Sequence, residues 1–159
     1  KNGLFALAGN RNDIILEQAE ELFSNRLNQK TLSFDVNDYD VSFVRGLSLE
    51  DGAATLTDFT ARVIGAALSK LLSNERKKMM KVLVSGGGRK NKILIEKIKK
   101  NTLKNIMIQP IDDYGINGDF VESQAFAFLA IRSVLKLPIS FPNTTGCLIP
   151  CLGGEQIKN

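Results

Sequence analysis

Between Lys81 and Lys92 the chain reads Lys-Val-Leu-Val-Ser-Gly-Gly-Gly-Arg-Lys-Asn-Lys. A β-branched run stops at Ser85, three glycines follow, and a helical pattern opens near Asn91. Strand, glycine turn and helix start together suit a nucleotide. Glycine lets backbone approach a ligand with no Cβ in the way, and the N–H groups of a helix start favour phosphate. The same arrangement also serves plain geometry, since tight strand-to-helix turns use glycine to reverse the chain. Neither standard phosphate fingerprint completes it. A P-loop needs Gly-Lys-Ser/Thr after the glycines, and Gly88 is followed by Arg89-Lys90-Asn91. The dinucleotide pattern needs a further glycine at position 91, which is Asn. Gly86, Gly87 and Gly88 therefore suit the flank of a base or ribose, without a phosphate clamp of their own.

A second group is acidic: Asp112, Asp113, Asp119 and Glu122 follow an apolar run that ends at Pro110. Asp119 and Glu122 have the spacing of a capping box, worth about 1 kcal/mol. Glu122 is equally placed to meet a ligand hydroxyl at the carboxyl ends of strands, where α/β folds bind ligands. The chain has no His, which excludes Ser-His-Asp and Cys-His catalysis within it and most zinc sites. The two cysteines, Cys147 and Cys151, flank Pro150 and read as unpaired thiols rather than a metal site or a staple.

Composition sets the frame. With 159 residues, 43% of them hydrophobic, the chain is one domain or a large piece of one. No run approaches the roughly 18 apolar residues of a membrane span, and the start does not resemble a signal peptide. The expectation is a cytoplasmic protein with no membrane partner. The net charge of +4 hides an asymmetry: Lys70–Lys104 holds twelve Lys or Arg against two carboxylates, and the rest holds nine against fifteen. A basic block can face nucleic acid. No aromatics interleave to stack bases, so a solvated helix face is expected and no specific nucleic-acid partner.

The elements that must position these residues follow from periodicity. Lys1 to Arg11 reads as irregular. Asn12 or Asp13 caps a helix to about Leu27, with Ile15, Ala19, Leu22, Phe23 and Leu27 on one stripe. Residues 28–47 show no sustained period and read as a long connection. Ser48-Leu-Glu-Asp51 is a capping box for a long helix to about Leu72. Its Leu56, Phe59, Thr60, Val63, Ala67, Leu68 and Leu71 recur at helical spacing, and Ala53, Ala54, Ala61, Gly65 and Ala66 leave slim faces for close packing. A strand at Lys81–Ser85, a helix at Asn91–Lys100 with Ile93, Leu94 and Ile98 inward, and a strand at Ile106–Ile108 make a right-handed βαβ unit with parallel strands. A helix capped by Asp119 runs to about Leu137, where Pro138 stops it, with Ala125, Phe126, Leu129, Ala130, Val134 and Leu137 as its apolar face. The predicted plan is an opening helix and linker (1–47), an αβαβα body (48–137) and a Pro/Gly-rich loop tail (138–159).

Four ordered segments resemble the C-terminal half of the anhydro-N-acetylmuramic acid kinase family, within the sugar-kinase and actin-like ATPase superfamily. They are Asp51-Gly-Ala-Ala-Thr-Leu-Thr-Asp-Phe-Thr-Ala61; Val84-Ser-Gly-Gly-Gly88 with Asn91 and Leu94; Gly115-Ile-Asn-Gly-Asp-Phe-Val-Glu122 through Ala125-Phe-Ala-Phe-Leu-Ala130; and Leu137-Pro138 leading to Thr144-Thr-Gly146. Lys30-Thr31-Leu32 with Asp38-Tyr39 is similar to the family's linker. The match covers nearly the whole chain.

The resemblance implies an α/β fold, a partial ribonuclease-H-like (actin-like ATPase) lobe, helix-rich with a small parallel βαβ sheet. It implies a kinase that uses ATP and Mg2+ to open the anhydro ring of a recycled cell-wall sugar and phosphorylate it at O6. This lobe would supply the adenosine side, with Gly86, Gly87, Gly88 and Asn91 along ATP or ADP and Glu122 toward the sugar. The family's phosphate loop, Gly-Thr-Ser-x-Asp-Gly, does not occur in this sequence, and neither does its β-meander with the catalytic aspartate. Lys1-Asn-Gly3 is similar to the point just after that meander. Ser123 and Cys147 stand where the family commonly has Ala. The chain alone is therefore expected to be inactive, with anhydro-N-acetylmuramic acid and Mg2+ engaged only together with a complementary half. The alternative is a non-catalytic nucleotide-binding or protein-interaction module, dimerising through an unpaired strand edge.

Overall fold

A computed structural model describes residues 2–27, 39–73, 78–155 and 157. The part of the long connection at 28–38, including Lys30-Thr31-Leu32 and Asp38, lies outside the described residues. The chain divides into two compact units, Lys1–Gly118 and Asp119–Asn159.

The first unit is built on one long helix. In chain order it has α1 (Leu4–Ala8), α2 (Asp13–Leu27), α3 (Leu49–Leu71), β1 (Met80–Val84), α4 (Lys92–Lys100) and β2 (Ile106–Pro110), with 3-10 turns at Ser42–Val44, Gly87–Lys90 and Ile111–Tyr114. Helix α3 begins as its sequence dictates: Ser48 Oγ accepts from the Asp51 N–H at 3.1 Å. The reciprocal half of the expected capping box differs. Asp51 Oδ1 accepts from the Asn10 N–H at 2.7 Å, so the carboxylate ties down a distant segment instead of its own helix start. Asn12 caps α2 through a 3.1 Å bond from the Ile15 N–H.

The slim face of α3 is the buried one. Gly52, Ala54, Thr55, Asp58, Phe59, Ala61 and Gly65 are buried along it. Small side chains let neighbouring backbone come close: a Cβ on Gly65 would collide with the Asn101 backbone at the end of α4, and one on Gly9 with the Glu50 backbone. Helix α3 serves two cores. Toward its N-terminal half, Phe59 packs with Leu16, Ala19 and Phe23 of α2, flanked by Tyr39 and Phe43. Toward its C-terminal half, Ala61 packs with Ile98 of α4 and Ile106 and Ile108 of β2. On α2 the stripe runs through Leu16, Ala19 and Phe23, while Leu22, expected inward, is 75% exposed and borders an open aromatic pocket of about 330 Å³ with Phe23, Tyr39, Phe43 and Phe59.

The two strands pair in parallel, Met80 with Ile106 through Val84 with Pro110, as the βαβ pattern predicts. One face of this sheet meets α3 and α4. The other carries Leu83 and Met107, both exposed.

Residues 2–12, expected to be irregular, instead form α1 and a strap laid on α3. The Asn12 N–H donates to Thr55 Oγ1 at 2.9 Å, and Thr55 Oγ1 in turn donates to Asp51 O at 2.7 Å. Asp58, one further turn along, is buried and charged. It receives Arg11 Nη1 at 3.4 Å and the Lys97 ammonium of α4. The Asp58 charge pushes the Arg11 guanidinium above its ordinary value. Lys97 thus leaves the expected solvated face of the basic block and reaches inward.

The second unit contains α5 (Val121–Val134) and a short α6 (Pro142–Thr145). Helix α5 starts one residue later than expected. Phe120, not Asp119, occupies the N-cap and provides no side-chain cap. The helix also ends before Pro138. The Leu137 N–H donates to Arg132 O at 2.8 Å and the Lys136 N–H to Ser133 O at 3.0 Å, a Schellman closure with Lys136 at φ 56°. None of the α5 residues is buried, against the expected apolar face, because a unit this small has too little chain to enclose a helix. The tail is more ordered than a loop: it turns through α6 and closes with an antiparallel bridge between Ser140 and Cys151.

Removing one partner of a buried ion pair strands the other charge, at about 3–5 kcal/mol. Arg11 and Lys97 retain some exposure, 44% and 26%, which places Asp58→Ala at the low end, about 3 kcal/mol. Urea denaturation of the chain should show the midpoint falling with the slope unchanged; a loss below about 0.5 kcal/mol would remove Asp58 from its structural role.

Candidate functional site

The glycine turn begins where β1 ends. Gly86 has φ 75° and ψ −179°, a conformation that only glycine adopts without strain. Its N–H donates to Gly118 O at 2.9 Å, which pins the turn to the loop after β2. A 3-10 turn over Gly87–Lys90 follows, and Asn91 then caps α4, its Oδ1 accepting from the Leu94 N–H at 3.2 Å. The α4 start is thus capped by its own side chain. Gly3 lies so close to the Asn91 amide that a Cβ there would clash with it.

Arg89 locks the turn to the second strand. Nε and Nη2 donate to the two Asp112 carboxylate oxygens at 2.6 and 2.9 Å, and Nη1 donates back to Gly86 O at 2.8 Å. The Gly118 N–H adds a 3.3 Å bond to Asp112 Oδ1. The Arg89 hydrogen bonds, helped by the Gly118 N–H, hold the Asp112 carboxyl well below the usual carboxylate range. Two planar groups meeting through paired hydrogen bonds fix orientation as well as distance. Gly118 has a packing reason: a Cβ there would meet the Arg89 guanidinium.

Gly87 and Gly88 have no such reason. Neither has positive φ, and a Cβ built on either meets nothing within 4 Å. Their surroundings are open, and the fold itself would accept a side chain at both.

Of the residues singled out by sequence, Gly86, Gly87, Gly88 and Asn91 fall in this one turn. Glu122 belongs to the second unit, as the second residue of α5, and is exposed. Asp112 is not a free acidic group but half of the Arg89 clamp. Sequence reasoning missed Arg89 and Asp58. The Arg89–Asp112 pair carried no local signal, since 23 residues separate its partners. Asp58 carried one: a carboxylate on a face with Gly52, Ala54, Thr55, Phe59, Ala61 and Gly65.

A family model described as anhydro-N-acetylmuramic acid kinase matches residues 6–158. The chain belongs to the anhydro-N-acetylmuramic acid kinase family. An anhydro-N-acetylmuramic acid kinase of Pelagibacter ubique is 52% identical over 159 residues, which is 100% of this chain and 42% of the relative. That of Zymomonas mobilis is 40% identical over 156 residues, covering 98% of this chain and 40% of the relative. That of Rhizobium rhizogenes is 45% identical over 125 residues, covering 77% and 32%. The chain thus spans about two fifths of the length of the first two kinases. Both candidate segments, the glycine turn and the α5 start, lie inside the stretch matched to the kinase family model.

The clamp sets a pH expectation for this member of the kinase family. Asp112 is depressed in the folded state, so its contribution is fully present above the unfolded aspartate value of about 3.9 and is lost as pH falls through the lower folded value. The Arg89 Nε–H resonance should therefore be unchanged from neutral pH to about pH 5 and move only below about 3.9. A shift with its midpoint at about 3.9 would show that the carboxyl titrates as an ordinary aspartate and that the clamp is not formed.

Proposed function

We propose that this chain is the nucleotide-side lobe of a kinase that uses ATP to open the anhydro ring of anhydro-N-acetylmuramic acid and deliver N-acetylmuramic acid 6-phosphate. In this reading the lobe is part of a ribonuclease-H-like, actin-like ATPase fold, and the kinase works in cytoplasmic cell-wall recycling. Gly86, Gly87, Gly88 and Asn91 line the adenosine of ATP or ADP, and Glu122 accepts a hydrogen bond from a sugar hydroxyl.

One observation carries the nucleotide assignment: Gly87 and Gly88 are glycine without needing to be. Where neither backbone conformation nor packing demands glycine, close approach of something outside the chain is the remaining physical use. The clamp from Arg89 to Asp112 supports it, because a turn that positions a base or ribose must itself be rigid. Family membership supplies the substrate class, and the exposed carboxylate of Glu122 is available to one.

Phosphoryl transfer requires a base, contacts to the β- and γ-phosphates and a metal. Among the described residues no group of three or more His, Cys, Asp or Glu gathers to hold a metal ion. The reading assigns Mg2+ and the catalytic groups to a complementary half and expects the chain by itself to be inactive. No helix among the described residues is long and apolar enough to cross a membrane, and no membrane partner is proposed.

A second reading, a protein-interaction module or homodimer, draws on the sheet. Two parallel strands with Leu83 and Met107 exposed on one face are less covered than parallel sheets ordinarily are. We favour the complementary half as the cover, since it would extend the same sheet.

Titration calorimetry with ADP separates the readings. Gly88→Val should weaken ADP binding by at least about tenfold and leave the melting temperature unchanged, because no described residue lies within 4 Å of a Cβ at that position. Equal binding by both proteins would remove the turn from the nucleotide site. Nucleotide-independent dimers, with no ADP heat even beside the complementary half, would favour the interaction module.

A further inference from the structure

The tail of the second unit brings two thiols together. Ser140 and Cys151 face each other in the antiparallel bridge, the Cys151 N–H donating to Ser140 O at 3.0 Å and the Ser140 N–H to Cys151 O at 3.3 Å. Between them α6 and Gly146, at φ 73°, reverse the chain and return Cys147 to the same place. Ser140 Oγ donates to Cys147 Sγ at 3.6 Å, so both cysteines lie against Ser140. Both are half-buried and free, within reach of a small reagent.

Their protons are held differently. Cys151 Sγ donates to Ile149 O at 2.9 Å and so keeps its hydrogen. The Cys147 sulfur is an acceptor, facing the hydroxyl of Ser140. Hydrogen bonds to a sulfur stabilise its thiolate; those from Thr145 and then Ser140 push the Cys147 thiol below its ordinary value, while burial pushes Cys151 above.

We propose that Cys147 and Cys151 form a reversible thiol-oxidation site for a small hydroperoxide, with Cys147 the attacking sulfur and Cys151 the resolving one. The Cys147 thiolate attacks one peroxide oxygen and the O–O bond breaks. The departing oxygen takes up a proton and leaves as water, and Cys147 becomes a sulfenic acid. The Cys151 sulfur then attacks the Cys147 sulfur, the S–O bond breaks, and hydroxide leaves with the Cys151 proton as a second water. Two thiols and one hydrogen peroxide give one disulfide and two waters; the sulfurs are oxidised and the peroxide is reduced. Both cysteines already flank Ser140, and their sulfurs have to close to the roughly 2.05 Å of a disulfide.

The test treats the whole chain with one equivalent of hydrogen peroxide and reads intact mass and free thiols. The expected product is a monomer lighter by two hydrogens, both thiols lost together, restored by dithiothreitol. A Cys151→Ser chain should stop at a sulfenic acid that a cyclic 1,3-diketone captures, and Cys147→Ser should consume peroxide at least about tenfold more slowly than the unsubstituted chain. Added oxygen without disulfide in the unsubstituted chain, a disulfide-linked dimer, or equal rates for the two serine variants would each overturn the assignment.

Discussion

A buried carboxylate must find cations, and in this chain Asp58 finds two that arrive from opposite directions in sequence. Arg11 comes from the strap between α1 and α2, and Lys97 from α4. Each alone would leave the carboxylate partly uncompensated, so the three segments are placed together or not at all. Asp51 and Thr55, along the same face of α3, extend the arrangement by holding the Asn10 and Asn12 amides. The small residues between them do the rest: without side chains at Gly52 and Gly65 and with only methyls at Ala54 and Ala61, neighbouring backbone comes near enough for polar groups to meet. Helix α3 is thus a polar and steric template more than an oily ridge.

The glycine turn depends on that template at one remove. It is suspended between β1 and α4, and α4 is fixed to α3 by Lys97 and by packing around Ile98. Its outer side is fixed by Arg89 and Asp112 to the loop that follows β2. A stretch of three glycines has the most backbone entropy to lose of any sequence. Holding it still takes anchors at both ends, and the chain supplies them from outside the stretch. What is left undetermined by internal packing is only the open surface of Gly87 and Gly88.

Periodicity made most of the helices and the parallel pair legible, because amphipathic repeats and β-branched runs state their own partners in general terms. The Ser48 and Asn12 caps were legible for the same reason: their acceptors lie three residues away. The short α1 was hidden, since its five residues have neither a cap nor a period and are held by contact with α3. The start of α5 was misjudged because Asp-x-x-Glu spacing satisfies a capping rule without enforcing it. Of the candidate site, the glycines and Asn91 stood out by residue type. The Arg89–Asp112 pair did not, for ion pairs across a βαβ unit leave no trace in local spacing. Asp58 was visible but was read as one letter of a motif, and its burial comes from three segments that only the fold assembles.

Helix α4 can be seen as a beam on a pivot. Lys92–Lys100 is about 13 Å long at about 1.5 Å per residue. Its ion pair with α3 is made by Lys97, nearer the far end than the end that carries the glycine turn. Beyond the pivot, Gly65 lets the Asn101 backbone rest directly on α3. Any bulk inserted at position 65 lifts that end, and the beam tips the opposite way, by about one and a half times as much, where Asn91 meets the glycines. A methyl group far from any ligand would then act as a wedge that misaligns the turn while every residue of the turn remains in place.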